Sequence, residues 1–190
     1  MVEITDFAVA TTAIDGLVFL TMKQVTDERG TVREFYRESA FADAGLPSLG
    51  PWRQVNVTET KRGALRGIHG EDMFKLVAVV AGEAFGAYVD LRPGSGTFGT
   101  VVTTHLAPGS QVLVPKGVGN GFQATGSAAT QYLYCFDQEW VPGMAGVACS
   151  PLDPALAIDW PLAIDPADRA QVSEKDLNAP SLAQLEGNPS

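Results

Sequence analysis

The sequence predicts an all-β fold, a sandwich or barrel of short strands. Two observations carry this. Apolar or alternating runs recur about every ten residues between positions 16 and 140, the spacing of sandwiches and barrels. The breaks between them draw on 20 glycines and 12 prolines, the residues that supply the dihedrals of tight turns.

Taken in order, a polar entry leads into the apolar run Gly16–Leu20, a strand. Asp27-Glu28-Arg29-Gly30 is a turn by composition, and Thr31–Tyr36 alternates as a strand does. Ser39–Gly45 has a serine cap, small residues and a closing glycine, which predicts a short helix. Pro47–Pro51 is loop. Trp52–Thr60 returns to β character, with Gln54, Asn56 and Thr58 on one face and Val55 and Val57 on the other. The Lys61-Arg62-Gly63 turn leads into Ala64–His69, where strict alternation sets Arg66 and Ile68 on one face and Leu65, Gly67 and His69 on the other. Leu76–Val80 and Glu83–Leu91, joined by Ala81-Gly82, read as a hairpin. Thr100–Leu106 is rich in Val and Thr. Gln111–Val114, Gly121–Ala124 and Thr130–Trp140 complete the strands. Residues 141–190 carry Asp-Pro, Trp-Pro and Ala-Pro pairs and little periodicity. They predict an irregular tail packed across the β core, so that 1–190 is one domain with its core at about 16–140.

Composition narrows the function. The chain has 190 residues, is 45% hydrophobic and 18% charged, and carries a net charge of −9, a globular profile that argues against nucleic acid as a partner. Nine of its 13 basic residues nevertheless lie between Lys23 and Lys75, a segment suited either to a small anionic ligand or to a solvated face. Cys135 and Cys149 make no disulfide framework. With no signal-peptide pattern and no run able to span a bilayer, the sequence predicts a soluble cytoplasmic protein that engages no membrane.

Motifs narrow it further. There is no G-x-S-x-G elbow, phosphate loop or dinucleotide fingerprint. A mononuclear metal in a β-barrel needs two or three histidines with a carboxylate. The chain has two, His69 and His105, without an H-x-H pair, so no metal or cofactor is expected. Acid–base chemistry remains. His69, in Arg66-Gly67-Ile68-His69-Gly70, is the candidate base. An imidazole base needs a partner on its other nitrogen, a cation for the developing oxyanion and an acid to return the proton. The residues alone offer many candidates for these roles.

A resemblance selects among them. Gln54-Val55-Asn56, Gly63-Ala64-Leu65-Arg66-Gly67-Ile68-His69, Lys75-Leu76-Val77, Val89-Asp90-Leu91-Arg92 with Thr97-Phe98-Gly99, Val114-Pro115-Lys116-Gly117 with Gly121-Phe122, Tyr132-Leu133-Tyr134, Asp153-Pro154 with Ile158-Asp159-Trp160-Pro161, and Ser173-Glu174-Lys175-Asp176 follow one another as in the dTDP-4-dehydrorhamnose 3,5-epimerase family, which the chain resembles over most of its length. The resemblance implies a cupin-type jelly-roll barrel, a homodimer, no cofactor and a dTDP-4-keto-6-deoxyhexose substrate inverted at C3, C5 or both. It implies His69 as base, Asp176 as its partner, Lys75 near the C4 oxyanion and Tyr134 as acid. Arg29, Glu34, Gln54 and Asn56 would contact nucleotide or sugar, Arg29 facing the diphosphate; Arg66 would hold the sugar or enolate oxygen, and Asn120 would also touch the substrate. Two features depart from the family. Asn120 stands where a second histidine usually precedes Gly-Phe, and Gly70–Phe74 is shorter than the usual connection between base and lysine. A cupin 3,4-ketoisomerase and a non-catalytic sugar-nucleotide-binding barrel are the alternative readings.

Overall fold

The computed structural model describes residues 1–187. Fourteen strands in this span form three antiparallel sheets. The largest runs β2 (Ala8–Thr11), β3 (Val18–Thr21), β11 (Ser110–Val114), β8 (Lys75–Ala81), β13 (Thr130–Phe136), β6 (Gln54–Thr60) in spatial order. The second runs β10 (Val101–Leu106), β9 (Ala84–Asp90), β12 (Val118–Ala124), β7 (Leu65–Glu71), β14 (Gly146–Ala148). A small third sheet holds β1 (Glu3–Thr5), β4 (Lys23–Asp27) and β5 (Gly30–Glu34). The two large sheets face each other as a cupin-like jelly roll.

Three apolar clusters follow from this layering. Between the sheets lie Val77, Val79, Tyr88, Leu106, Val112, Phe122 and Tyr132, the Phe122 and Tyr132 rings stacked at 4.0 Å. On the outer face of the six-stranded sheet, Leu76, Leu113 and Cys135 are covered by Phe41, Leu49 and Trp52. On the outer face of the five-stranded sheet, Ile68, Val89 and Leu91 are covered by Cys149 and Leu156. Central strands are therefore buried on both faces, which is why β8 and β9 read as near-continuous apolar runs.

Several elements differ from expectation for identifiable reasons. The predicted hairpin over 76–91 does not form. β8 pairs with β11 and β13, and β9 with β10 and β12, so Gly82, at φ 81°, passes the chain from one sheet to the other. The short helix exists as α1 (Glu38–Asp43), but its N-cap is Arg37 with no side-chain cap, and Ser39 lies inside it. The closing glycine is as expected: Gly45, at φ 71°, donates to Ala42 while Leu46 donates to Phe41, a Schellman-type end. β12 starts at Val118, earlier than expected, and β13 ends at Phe136.

Strict alternation in β7 also fails. Arg66 pairs with Phe122 and His69 with Asn120, three steps on β7 against two on β12. That extra residue is a β-bulge, and a bulge reverses which face later side chains take. Arg66 and His69 consequently share a face, while Ile68 turns into the outer core. Gly67, at φ 114°, permits the bulge: a Cβ there would lie 2.5 Å from Gly121 Cα and 2.6 Å from the Asn120 carbonyl oxygen.

The tail packs across the five-stranded sheet as expected, and is more regular than its composition suggests. It adds β14 beside β7, a 3-10 turn at Pro154–Leu156, α2 (Glu174–Leu177) and α3 (Leu182–Glu186). Trp160 packs edge-on against Phe85 and donates to the Pro151 carbonyl. The buried Gln123 amide accepts from the Leu162 N–H and donates to the Leu162 carbonyl. Asp153 caps the 3-10 turn and also accepts from Leu182 N–H.

Candidate active site

A cleft of about 680 Å³ opens at one end of the barrel, between the two sheets. β6, β8 and β13 form one wall, β7 and β12 the other, and residues 169–176 of the tail close one side. Of the ten residues singled out from the sequence, eight line it: His69, Tyr134, Asp176, Lys75, Gln54, Asn56, Arg66 and Asn120.

Nε2 of His69 lies 2.7 Å from Oδ1 of Asp176, across 107 residues of sequence. The imidazole is 34% exposed and the carboxylate 7%. Ser173 caps α2 and thereby fixes the start of the helix that carries Asp176. Burial pushes Asp176 upward, but hydrogen bonds from His69, Ser173 and the Gly67 backbone outweigh it and hold the carboxyl below its ordinary 3.8. An ionised carboxylate only accepts, so Nε2 carries the proton and Nδ1 keeps the lone pair.

Lys75 opens β8 between β11 and β13 and is 3% exposed. Its Nζ donates to the His69 carbonyl at 3.0 Å and pairs with the Glu71 carboxylate. Burial lowers the Lys75 ammonium below 10.5, and Glu71 opposes this through charge and hydrogen bonding. Tyr134 is half-buried on β13, in the same wall as Lys75 and facing β7. Burial and the neighbouring Tyr132 drive its phenol well above 10, Arg66 draws it down, and Glu71 adds to the rise. At neutral pH Tyr134 is therefore a protonated donor. Arg66 donates to Thr60, and Gln54 spans from Asn56 to the Trp140 N–H. Asn120 is 6% exposed, with its Oδ1 unpaired.

Arg29 and Glu34 lie outside this cleft. They sit on the β4–β5 hairpin, where Arg29, 90% exposed, pairs with Asp27 and Glu34 pairs with Arg37. Glu71, Lys61, Arg169, Lys175 and Trp140 line the cleft and were not anticipated from the sequence. Lys175 lies in the Ser-Glu-Lys-Asp run that pointed to Asp176; Arg169 follows an irregular stretch that carries no signal. Among the described residues, no group of three or more His, Cys, Asp or Glu is arranged to hold a metal ion.

The family model for dTDP-4-dehydrorhamnose 3,5-epimerase matches residues 11–184. A dTDP-4-dehydrorhamnose 3,5-epimerase of Methanothermobacter thermautotrophicus is 32% identical over 91% of this chain and 93% of its own length. A Legionella pneumophila 3,5-epimerase, solved with dTDP-4-keto-L-rhamnose, superposes with a TM-score of 0.82 at 33% identity, over 95% of this chain and 97% of that one. A 3'-monoepimerase of Streptomyces bikiniensis, solved with dTDP-quinovose, superposes equally well, at 0.82 and 32% identity, over 93% of this chain and 88% of its own.

Proposed function

The chain belongs to the dTDP-4-dehydrorhamnose 3,5-epimerase family, an isomerase family of deoxysugar biosynthesis, and from that premise we propose which of its residues carry the reaction. The substrate is a dTDP-4-keto-6-deoxyhexose, inverted at C3, C5 or both. The C4 ketone acidifies the neighbouring C–H bonds. Nδ1 of His69 removes one proton, and the C–H electron pair moves through carbon to O4, giving an enolate. Asp176, hydrogen-bonded to Nε2, fixes the tautomer and stabilises the imidazolium. The buried Lys75 ammonium donates to O4 as charge develops there. Tyr134 delivers its proton to the carbon from the opposite face, which inverts it. Solvent then takes the proton from His69 and restores that of Tyr134. No step calls on a metal or a redox cofactor.

The single observation that carries this reading is the His69–Asp176 pair at 2.7 Å, set in one cleft with Lys75 and Tyr134. Gln54, Asn56 and Asn120 supply neutral donors and acceptors for the sugar. Arg66, with Lys61, Arg169 and Lys175, supplies cations for the diphosphate. Arg29 and Glu34 serve the site only from a second copy of the chain. A homodimer is supported by β6, an edge strand whose outward Val55 and Val57 are 54% and 56% exposed, an apolar face that a partner would cover. The two buried cysteines are free, as suits a reducing cytoplasm, and Asp176, brought into the cleft by the tail, makes the chain work as one domain; no helix among the described residues is long and apolar enough to cross a membrane. The test is incubation with dTDP-4-keto-6-deoxyglucose in heavy water. Deuterium at C3 or C5 with an inverted product is expected; a sugar that binds without exchange overturns the reading.

A further inference from the structure

The connection between base and lysine is short, and its shortness has a structural effect. β7 belongs to one sheet and β8 to the other, and only Asp72, Met73 and Phe74 separate them. Met73 is fully buried, and Phe74 N–H is fixed by the Asp137 carboxylate at 2.9 Å. So tight a crossing sets the last residue of β7 beside the first residue of β8. Those residues are Glu71 and Lys75, and their side chains meet inside the cleft. The Glu71 backbone is held as well: its carbonyl accepts from Gly117 N–H at 3.0 Å, and it pairs with Gly146 of β14.

An ammonium has three N–H donors. Two from Lys75 are engaged, one by Glu71 and one by the His69 carbonyl. With the stem buried and the ammonium held by Glu71 and by the His69 carbonyl, the cleft that Lys75 lines is the open side left to it. We propose that Glu71 is a positioning residue for the epimerisation: its carboxylate clamps the Lys75 ammonium so that the remaining N–H faces the substrate's C4 oxygen. The proposal rests on the function assigned above and goes beyond it by giving a role to a residue that touches the lysine rather than the reacting atoms.

The charge balance supports the geometry. A buried cation without a counter-charge sheds its proton, and a neutral amine stabilises an enolate poorly. The titratable and charged groups that line the cleft with Lys75 include Glu71, His69 and Arg66 from β7 and Tyr134 from β13, with Glu59, Lys61, Arg169 and Lys175 at other points of the lining. Beyond them, Asp176 lies on the tail behind His69, and the nearest polar group of β12 is the uncharged Asn120. Among the described residues, Glu71 is the one carboxylate in contact with the ammonium. It is also felt at Tyr134, whose proton it helps to retain until transfer.

The experiment compares the unmodified enzyme with Glu71→Gln, Lys75→Ala and the double variant, measuring deuterium incorporation across pH. Glu71→Gln keeps the size and the hydrogen-bonding oxygen and removes the charge. Its kcat for exchange should fall about 10- to 100-fold, with KM changed less than about threefold. The alkaline limb of kcat should move down by about one pH unit or more. In the Lys75→Ala background the same substitution should cost nothing further. An unchanged kcat and alkaline limb, a rise in KM alone, a fully additive loss, or a Glu71→Gln protein that no longer binds dTDP each overturns the proposal. A second readout needs no turnover: the Lys75 Cε signal, followed by NMR in substrate-free enzyme, should titrate at lower pH in Glu71→Gln. An unmodified enzyme that exchanges nothing sinks the assigned function, while an unmoved Lys75 titration sinks the role of Glu71.

Discussion

On one wall of the cleft the working side chains come from regular strands; on the other they come from a bulged strand and a tail. Gln54 and Asn56 on β6, Lys75 on β8 and Tyr134 on β13 belong to ladders that stay in register through the cleft; the one shift between β13 and β8 falls at Gln131/Tyr132, at the end of β8 away from Lys75. Facing them, His69 reaches the cleft because β7 carries an extra residue opposite β12, and its partner Asp176 arrives from α2. The regular wall presents groups that bind, donate and steady charge. The irregular wall holds the proposed base. The difference teaches that the proposed proton abstraction rests on one non-repeating device, whereas the groups proposed to receive the sugar rest on the ladder itself.

The sharpest way to break the comparison is to remove the base. His69→Asn should reduce exchange at both carbons by about 10³-fold or more, because the other histidine, His105, lies on β10 outside the cleft and beside Glu83. Near-normal deuterium uptake in this variant would show that the base has been misassigned.

On the regular wall, Tyr134→Phe should act differently. The acid works after the base, so inversion should fall about 10²-fold while washout from the abstracted carbon falls less. Parallel rates of washout and inversion, both reduced alike, would place Tyr134 in the abstraction step and erase the division between the walls.

The legibility of the two walls in the sequence differs for the same reason. Period-2 alternation revealed Gln54, Asn56 and Thr58 as one face of β6, and the structure turns that face into the cleft. The same rule misplaced Arg66 and His69 on opposite faces, because a bulge leaves no mark in the polarity pattern. A glycine between two apolar runs suggested a hairpin over 76–91; the turn residue is real, but nothing local says to which sheet the next strand returns. Asp176 is 107 residues from His69, and only the run Ser173–Asp176, read through a family resemblance, joined them. Glu71 passed unnoticed because its meaning depends on a sheet crossing that spacing alone does not disclose.

A subtler test concerns what each wall allows the sugar to do. Double inversion requires two poses, each placing a C–H within about 3–3.5 Å of His69. Asn120 sits opposite His69 on the irregular wall and cannot relay a proton near neutral pH. One carbon should therefore exchange efficiently and the other poorly. Proton NMR in heavy water, with separate C3 and C5 signals, checks this; equal washout at both positions with a doubly inverted product would refute it.

The smallest expected effect is on stability. Asp176 has a folded value below its ordinary 3.8, so its contribution is present above that value and is lost as pH falls through the lowered one. Asp176→Asn should flatten the acid limb of a stability-against-pH curve measured by denaturant unfolding, and leave its shape above about pH 5 unchanged.

The position of Asp176 in the chain also sets a timetable. A polypeptide emerges from the ribosome N-terminus first. By the time Phe136 has been joined, His69, Lys75, Glu71, Asn120 and Tyr134 have all been made, together with every strand but β14. Asp176 comes only after β14 and the 3-10 turn, which pack over the five-stranded sheet. A chain stopped between Phe136 and Asp176 holds the groups proposed to meet the sugar but lacks the one proposed to fix the base's tautomer. Under the roles proposed above, the group that orients the base is thus written last.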